Sequence, residues 1–85
     1  MLDHALVDDR IFEMVREFAP ALPESAERAR GADLPSAGLT SVAAVKLMLA
    51  IEAAFDIAIP DADLTPENFR SIDAIESLVE RLRGH

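Results

Sequence analysis

Eighty-five residues, 51% of them hydrophobic, suffice for one small domain over residues 1–85 with a modest core, and they leave little scaffold for a deep catalytic cleft. The absence of cysteine excludes disulfides, thiolate metal sites and cysteine nucleophiles. Sixteen acids against eight bases give a formal net charge of -8, a field that repels phosphate backbones and anionic lipids, so no nucleic acid and no membrane surface is expected as a partner and basic protein surfaces suit better.

The opening stretch MLDHALVDDR is acidic where a signal peptide would be basic, and no apolar run approaches the ~20 residues of a membrane span. A cytoplasmic monomer is expected. A first helix is expected from Val7 to Phe18, because Ile11, Met14, Val15 and Phe18 recur at helical spacing and Asp8 and Asp9 suit its N-terminal dipole. Pro20 and Pro23 stop it.

From Ala19 to Thr40 the chain holds Pro20, Pro23, Gly31, Pro35 and Gly38, a long connection with room for one helical turn around Glu24 to Arg30 and with Leu22 and Leu34 to pin it. The second helix runs from Ser41 to Phe55. At about 100° per residue, Ala44, Leu47, Met48, Ile51 and Phe55 share one side of it, whereas Val42, Val45 and Leu49 share the other with Lys46 and Glu52. The plain reading is a central helix covered all round by its neighbours; the other is a stripe left open for a partner.

Phe55 to Ile59 alternates like a strand, but no hairpin signal pairs it. Thr65 before Pro66 reads as an N-cap with proline at the first helical position, opening a short third helix over Glu67 to Phe69. The last helix takes Ser71 as N-cap and Asp73 in its first turn, lines up Ile72, Ile75, Leu78, Val79 and Leu82, and ends with Arg81 and Arg83 at its negative pole. The fold expected is all-α.

Ser41 has two readings as well. Serine is a preferred N-cap, a job Thr40 could equally do, and on helix-start chemistry alone capping is the simpler account. Alternatively Ser41 is a covalent attachment point, since a phosphodiester at a helix N-terminus faces free N–H groups and the positive end of the dipole.

Gly38, Leu39, Thr40, Ser41 and Val42 resemble the Gly-Leu-Asp-Ser-Leu signature of the acyl carrier protein family. The stretch LAIEAAFDIAIPD, ending at Asp61, is similar to that family's second helix and the Ile-Pro-Asp turn after it, and FRSIDAIESLV, starting at Phe69, resembles its entry into the last helix. The resemblance covers nearly the whole chain. It implies a small four-helix bundle with a long first loop and a short third helix, and a 4'-phosphopantetheine arm on Ser41 installed by a phosphopantetheinyl transferase from coenzyme A. A carrier of this kind has no catalysis of its own; it presents an acyl or aminoacyl thioester to partner enzymes.

Two departures stand out against the family pattern. Thr40 replaces the usual aspartate, and the second helix lacks most of the acids that fatty-acid carriers show to basic partners, with Lys46 where an acid is common and Ala43 and Ala53 in place of others. The departures move docking onto Thr40, Val42, Val45, Lys46 and Leu49, with Lys46 and Glu52 cancelling. Taken together, the stretches look most like the stand-alone carriers charged by amino acid:carrier protein ligases, with an amino acid as cargo.

A specialised acyl carrier of a fatty acid, polyketide or lipid pathway is the alternative within the class, and an unmodified helical interaction domain is the alternative outside it. No catalytic residue is expected: His4 and His85 lie near the ends, the serines lack a nearby base, and Asp61 and Asp63 have no histidine to complete a site. Asp56, Asp61 and Asp63 lack calcium-loop spacing and read as solvated surface, so no metal is expected.

Overall fold

The computed structural model describes residues 2–84, with side chains from Arg10 onward apart from Ala26; the expectations for His4, His85 and the side chains of Asp8 and Asp9 lie outside what it describes. Four α-helices follow in order, α1 (Leu2–Phe18), α2 (Ala26–Arg30), α3 (Ser41–Phe55) and α4 (Ile72–Leu82), with 3-10 turns at Asp61–Asp63 and Pro66–Phe69. No strand forms among the described residues, and residues 55–59, which alternate like one, are the exit from α3. The alternation instead directs Ile57 and Ile59 onto the core while Asp56 and Ala58 face out.

α1 starts at Leu2, five residues ahead of the expected Val7, because nothing in the intervening stretch breaks a helix. Asp8 and Asp9 therefore sit beyond the first turn of α1. From α1, Ile11 and Val15 are fully buried, and Met14 and Phe18 pack half-buried beside them. α1 packs against both α3 and α4.

α4 carries the expected apolar face, with Ile72, Ile75, Leu78 and Val79 buried, and Ser71 Oγ accepts the Ala74 N–H at 3.1 Å as its cap. Each such side chain contributes about 1.5–3 kcal/mol by leaving water. One member of that face was not foreseen: Glu76, only 4% exposed. Its carboxylate accepts two hydrogen bonds from the Arg30 guanidinium, at 2.6 and 3.0 Å, and Asp73 lies 2.9 Å from the same guanidinium.

Arg30 is the last residue of α2, the turn expected around Glu24 to Arg30, and Ser25 caps it by accepting the Arg28 N–H. α2 thus bridges α1 and α4 and gives the long connection an anchor of its own. Leu34 is fully buried, its N–H donates to the Arg70 carbonyl at 2.8 Å, and Ala21 N–H donates to the Ala37 carbonyl at 2.8 Å, so the loop is tied at both ends.

α3 ends where Asp56 takes the left-handed conformation (φ 54°), which an aspartate tolerates better than most residues. Glu52, expected on the open face to cancel Lys46, turns instead to the loop beyond and accepts the Ile59 N–H at 2.7 Å. The short third helix forms as a 3-10 turn with Thr65 capping Asn68 N–H at 3.3 Å. Asp63, read from the sequence as solvated, pairs with Arg81 at 3.2 Å. Among the described residues no group of three or more metal-ligating side chains converges, and no helix is long and apolar enough to cross a membrane.

Candidate functional site

The segment leading into α3 is set by Gly38. Its φ of 101° lies where L side chains rarely go, and a Cβ there would come 3.0 Å from Pro20 Cδ and 3.3 Å from Pro20 Cγ. That close approach lets the chain turn over Pro20, bury Leu39 and deliver Thr40 to the head of the helix. Gly38→Ala is expected to cost at least about 1 kcal/mol, read as a lower urea midpoint at unchanged slope; an unchanged midpoint would show that the turn can relax without loss.

The helix start divides its labour between two adjacent hydroxyls. Thr40 is the N-cap, in extended backbone (φ -73°, ψ 170°), and its Oγ1 accepts the Ala43 N–H at 3.1 Å. Ser41 is therefore already the first helical residue, and the capping role that suited it on sequence grounds falls to its neighbour. Its hydroxyl is exposed and makes no hydrogen bond among the described residues. By helix geometry the Ser41 and Val42 N–H groups have no carbonyl one turn earlier to bond. No acidic side chain stands in the first turn to compete for them.

An exposed hydroxyl beside unbonded N–H groups at the positive end of a fifteen-residue helix suits a phosphate ester. Room for an arm is present too. A groove of about 400 Å³ reaches Ser41 and is walled mainly by Leu39, Ala44, Met48, Leu64 and Phe69. The residues at hand thus fit a phosphorylated prosthetic arm at its point of attachment.

The rest of α3 settles the choice between a covered and an open helix. Leu47 and Ile51 are fully buried, but Val42, Val45 and Leu49 are 67%, 53% and 54% exposed, so the helix is not covered all round. Thr40 and Lys46 are exposed with them. Leu64, absent from the sequence-based expectation, is the fourth exposed large hydrophobic side chain and shares the groove with Val45 and Ser41. A leucine in a loop between Pro60 and Pro66 carries no periodicity, which is why pattern reading passes over it.

Below the site, Asp33 accepts from both the Ser36 hydroxyl (2.7 Å) and the Ser36 N–H (3.1 Å). These bonds, the hydroxyl's first, and the charge of Arg70 hold its carboxyl below the usual value despite a little desolvation. The contribution to loop order is present at neutral pH and is lost as the pH falls through the lowered pKa.

Comparison with known proteins points the same way. Residues 9–80 match the family described as the phosphopantetheine attachment site. Aminoacyl carrier protein 1 of Bradyrhizobium diazoefficiens is 40% identical over 73 residues, 86% of this chain and 81% of that protein. The aminoacyl carrier protein of Agrobacterium fabrum is 57% identical over 49 residues, 58% of this chain and 59% of that one.

Among solved structures, the complex of an engineered Bradyrhizobium japonicum glycine:[carrier protein] ligase with the carrier protein from Agrobacterium tumefaciens and ATP matches with a TM-score of 0.74 at 45% identity, over 88% of this chain and 97% of the matched one. The B. japonicum ligase with its cognate carrier protein and an analogue of glycyl adenylate matches with a TM-score of 0.74 at 34% identity, over 89% and 97%. In each case the matched chain is of this protein's own size.

Proposed function

This chain belongs to the phosphopantetheine attachment family, and from that premise we propose that it is an aminoacyl carrier protein whose arm is borne by Ser41. The observation that carries the reading is the division of the two hydroxyls: Thr40 caps α3, which leaves Ser41 Oγ exposed and uncommitted at the first helical position. Ser41 Oγ attacks the β-phosphorus of coenzyme A in the active site of a phosphopantetheinyl transferase, forming a P–O bond as the pyrophosphate linkage breaks and adenosine 3',5'-bisphosphate leaves. The hydroxyl proton passes to the transferase. The arm's terminal thiol then holds an amino acid as a thioester.

This chain's own residues position and present. The Ser41 and Val42 N–H groups would hold the phosphodiester, and the exposed Val42, Val45 and Leu49 stripe would give partners a hold beside the arm. The partners are the transferase and an amino acid:carrier protein ligase; the carriers in the matched complexes are each bound to a glycine:[carrier protein] ligase. An acyl cargo is the second reading, favoured by the apolar groove that reaches Ser41.

Intact mass after incubation with coenzyme A, magnesium and a broad-specificity transferase should rise by one phosphopantetheine. Adding glycine or alanine, ATP and a glycine:[carrier protein] ligase should add one aminoacyl group. Loading by a fatty-acyl ligase alone would move the assignment to the second reading. No arm with any transferase would sink both and leave an unmodified helical interaction domain.

A further inference from the structure

The four exposed large hydrophobic side chains among the described residues lie along α3 and beside its groove: Val42, Val45 and Leu49 run down the helix that Ser41 opens, and Leu64 shares the groove with Val45 and Ser41. Scattered apolar residues need no explanation, but a contiguous set beside a site marks an interaction surface. The charge within this set is as informative as its apolarity. Lys46 is the single base in residues 31–69, against six acids, and it stands exposed on α3 between Val45 and Leu49.

The one acid of α3, Glu52, is turned away to the Ile59 N–H, so nothing on the helix offsets that ammonium. A chain with net charge -8 thus presents, on the helix a partner must approach to reach Ser41, an apolar stripe of Val42, Val45 and Leu49 whose own charge, Lys46, is positive. A partner surface built of lysines and arginines would set like charge against Lys46, and charge juxtaposition is what sorts right from wrong partners at an interface.

We propose that the partner seated on Val42, Val45, Leu49 and Leu64 is a protein with an apolar seat bearing a carboxylate that meets Lys46, and that this single contact sets the sign of the charge the chain accepts. The proposal rests on the carrier reading above and names the chemistry of the ligase face it needs.

The test uses the full chain with its arm installed and measures charging with glycine by a glycine:[carrier protein] ligase, for the wild type, Lys46→Arg, Lys46→Ala and Lys46→Glu, with circular dichroism to confirm the fold of each. Lys46→Glu should raise the KM for the carrier roughly five- to tenfold at unchanged kcat, with Lys46→Ala between it and the wild type and Lys46→Arg close to the wild type. Lys46→Glu charged as well as or better than the wild type would overturn the proposal while leaving the carrier reading intact, since the partner would then be basic or indifferent. A wild-type chain that takes the arm but no amino acid would overturn the aminoacyl reading and this proposal with it. Sedimentation showing a dimer whose apolar face is covered by a second copy would also overturn it.

Discussion

Ser41→Ala should take up no phosphopantetheine and yet unfold within about 0.5 kcal/mol of the wild type, whereas Thr40→Ala should lose about 1 kcal/mol and still take up the arm. The two adjacent hydroxyls differ because they stand one residue apart in helix phase. Thr40 has the extended backbone of a cap and its Oγ1 bonds the Ala43 N–H; Ser41 has helical backbone and its hydroxyl bonds nothing described. Removing the first orphans a helix-start donor; removing the second removes only a nucleophile.

Intact mass after transferase treatment and urea unfolding of the apo forms read the two effects separately. If Ser41→Ala were the variant that lost stability, the serine would be a cap and the division of labour read from the structure would be wrong. If Thr40→Ala also lost the arm at full stability, Thr40 would be touching the transferase and not only the helix.

This division marks the limit of what the sequence could say about the site. The motif around Ser41 is legible because glycine, leucine and a hydroxyl in that order, ahead of a helical run, form a local signal. Thr40 and Ser41 are both good caps, however, and only the backbone decides which one the helix uses. α4 was legible almost whole, since Ser71 and the spacing of Ile72, Ile75, Leu78, Val79 and Leu82 point the same way and burial agrees.

The role of Glu52 is not legible in the sequence, because an acid three residues beyond an apolar position reads as solvated surface. Its real partner, the Ile59 N–H, lies across a turn, and turn geometry is not written in periodicity. With Glu52 engaged elsewhere, Lys46 is not cancelled, and the open face of α3 is positive where composition alone suggested an acid surface for basic partners. The exposure of the stripe itself was readable, because apolar residues on the side of α3 opposite the core set have nothing within the helix to cover them.

The largest stability effect is expected at a contact that local pattern could not reveal. Arg30→Ala should destabilise the chain by about 2–3 kcal/mol, somewhat under the ~3–5 kcal/mol of breaking a fully buried pair, because Arg30 itself is partly exposed (39%) while Glu76 is nearly buried (6%) by side chain. The loss falls on Glu76, whose carboxylate sits in the apolar face of α4 and would keep its burial without the two hydrogen bonds the guanidinium gives it.

The reverse truncation should cost less: Glu76→Leu removes the charge that needs compensation, and the guanidinium it leaves behind still has Asp73 at 2.9 Å. The double variant Arg30→Ala with Glu76→Leu should accordingly be more stable than Arg30→Ala alone, which is the sign of a buried charge and the opposite of what two independent surface contacts would give. Urea midpoints of the four proteins test it. A loss under about 0.5 kcal/mol for Arg30→Ala would place the pair with ordinary surface ion pairs. Since α2 and its arginine join the long connection to α4, a loss of the expected size would also show what holds that connection against the bundle while Gly38 and Leu39 aim Ser41 outward.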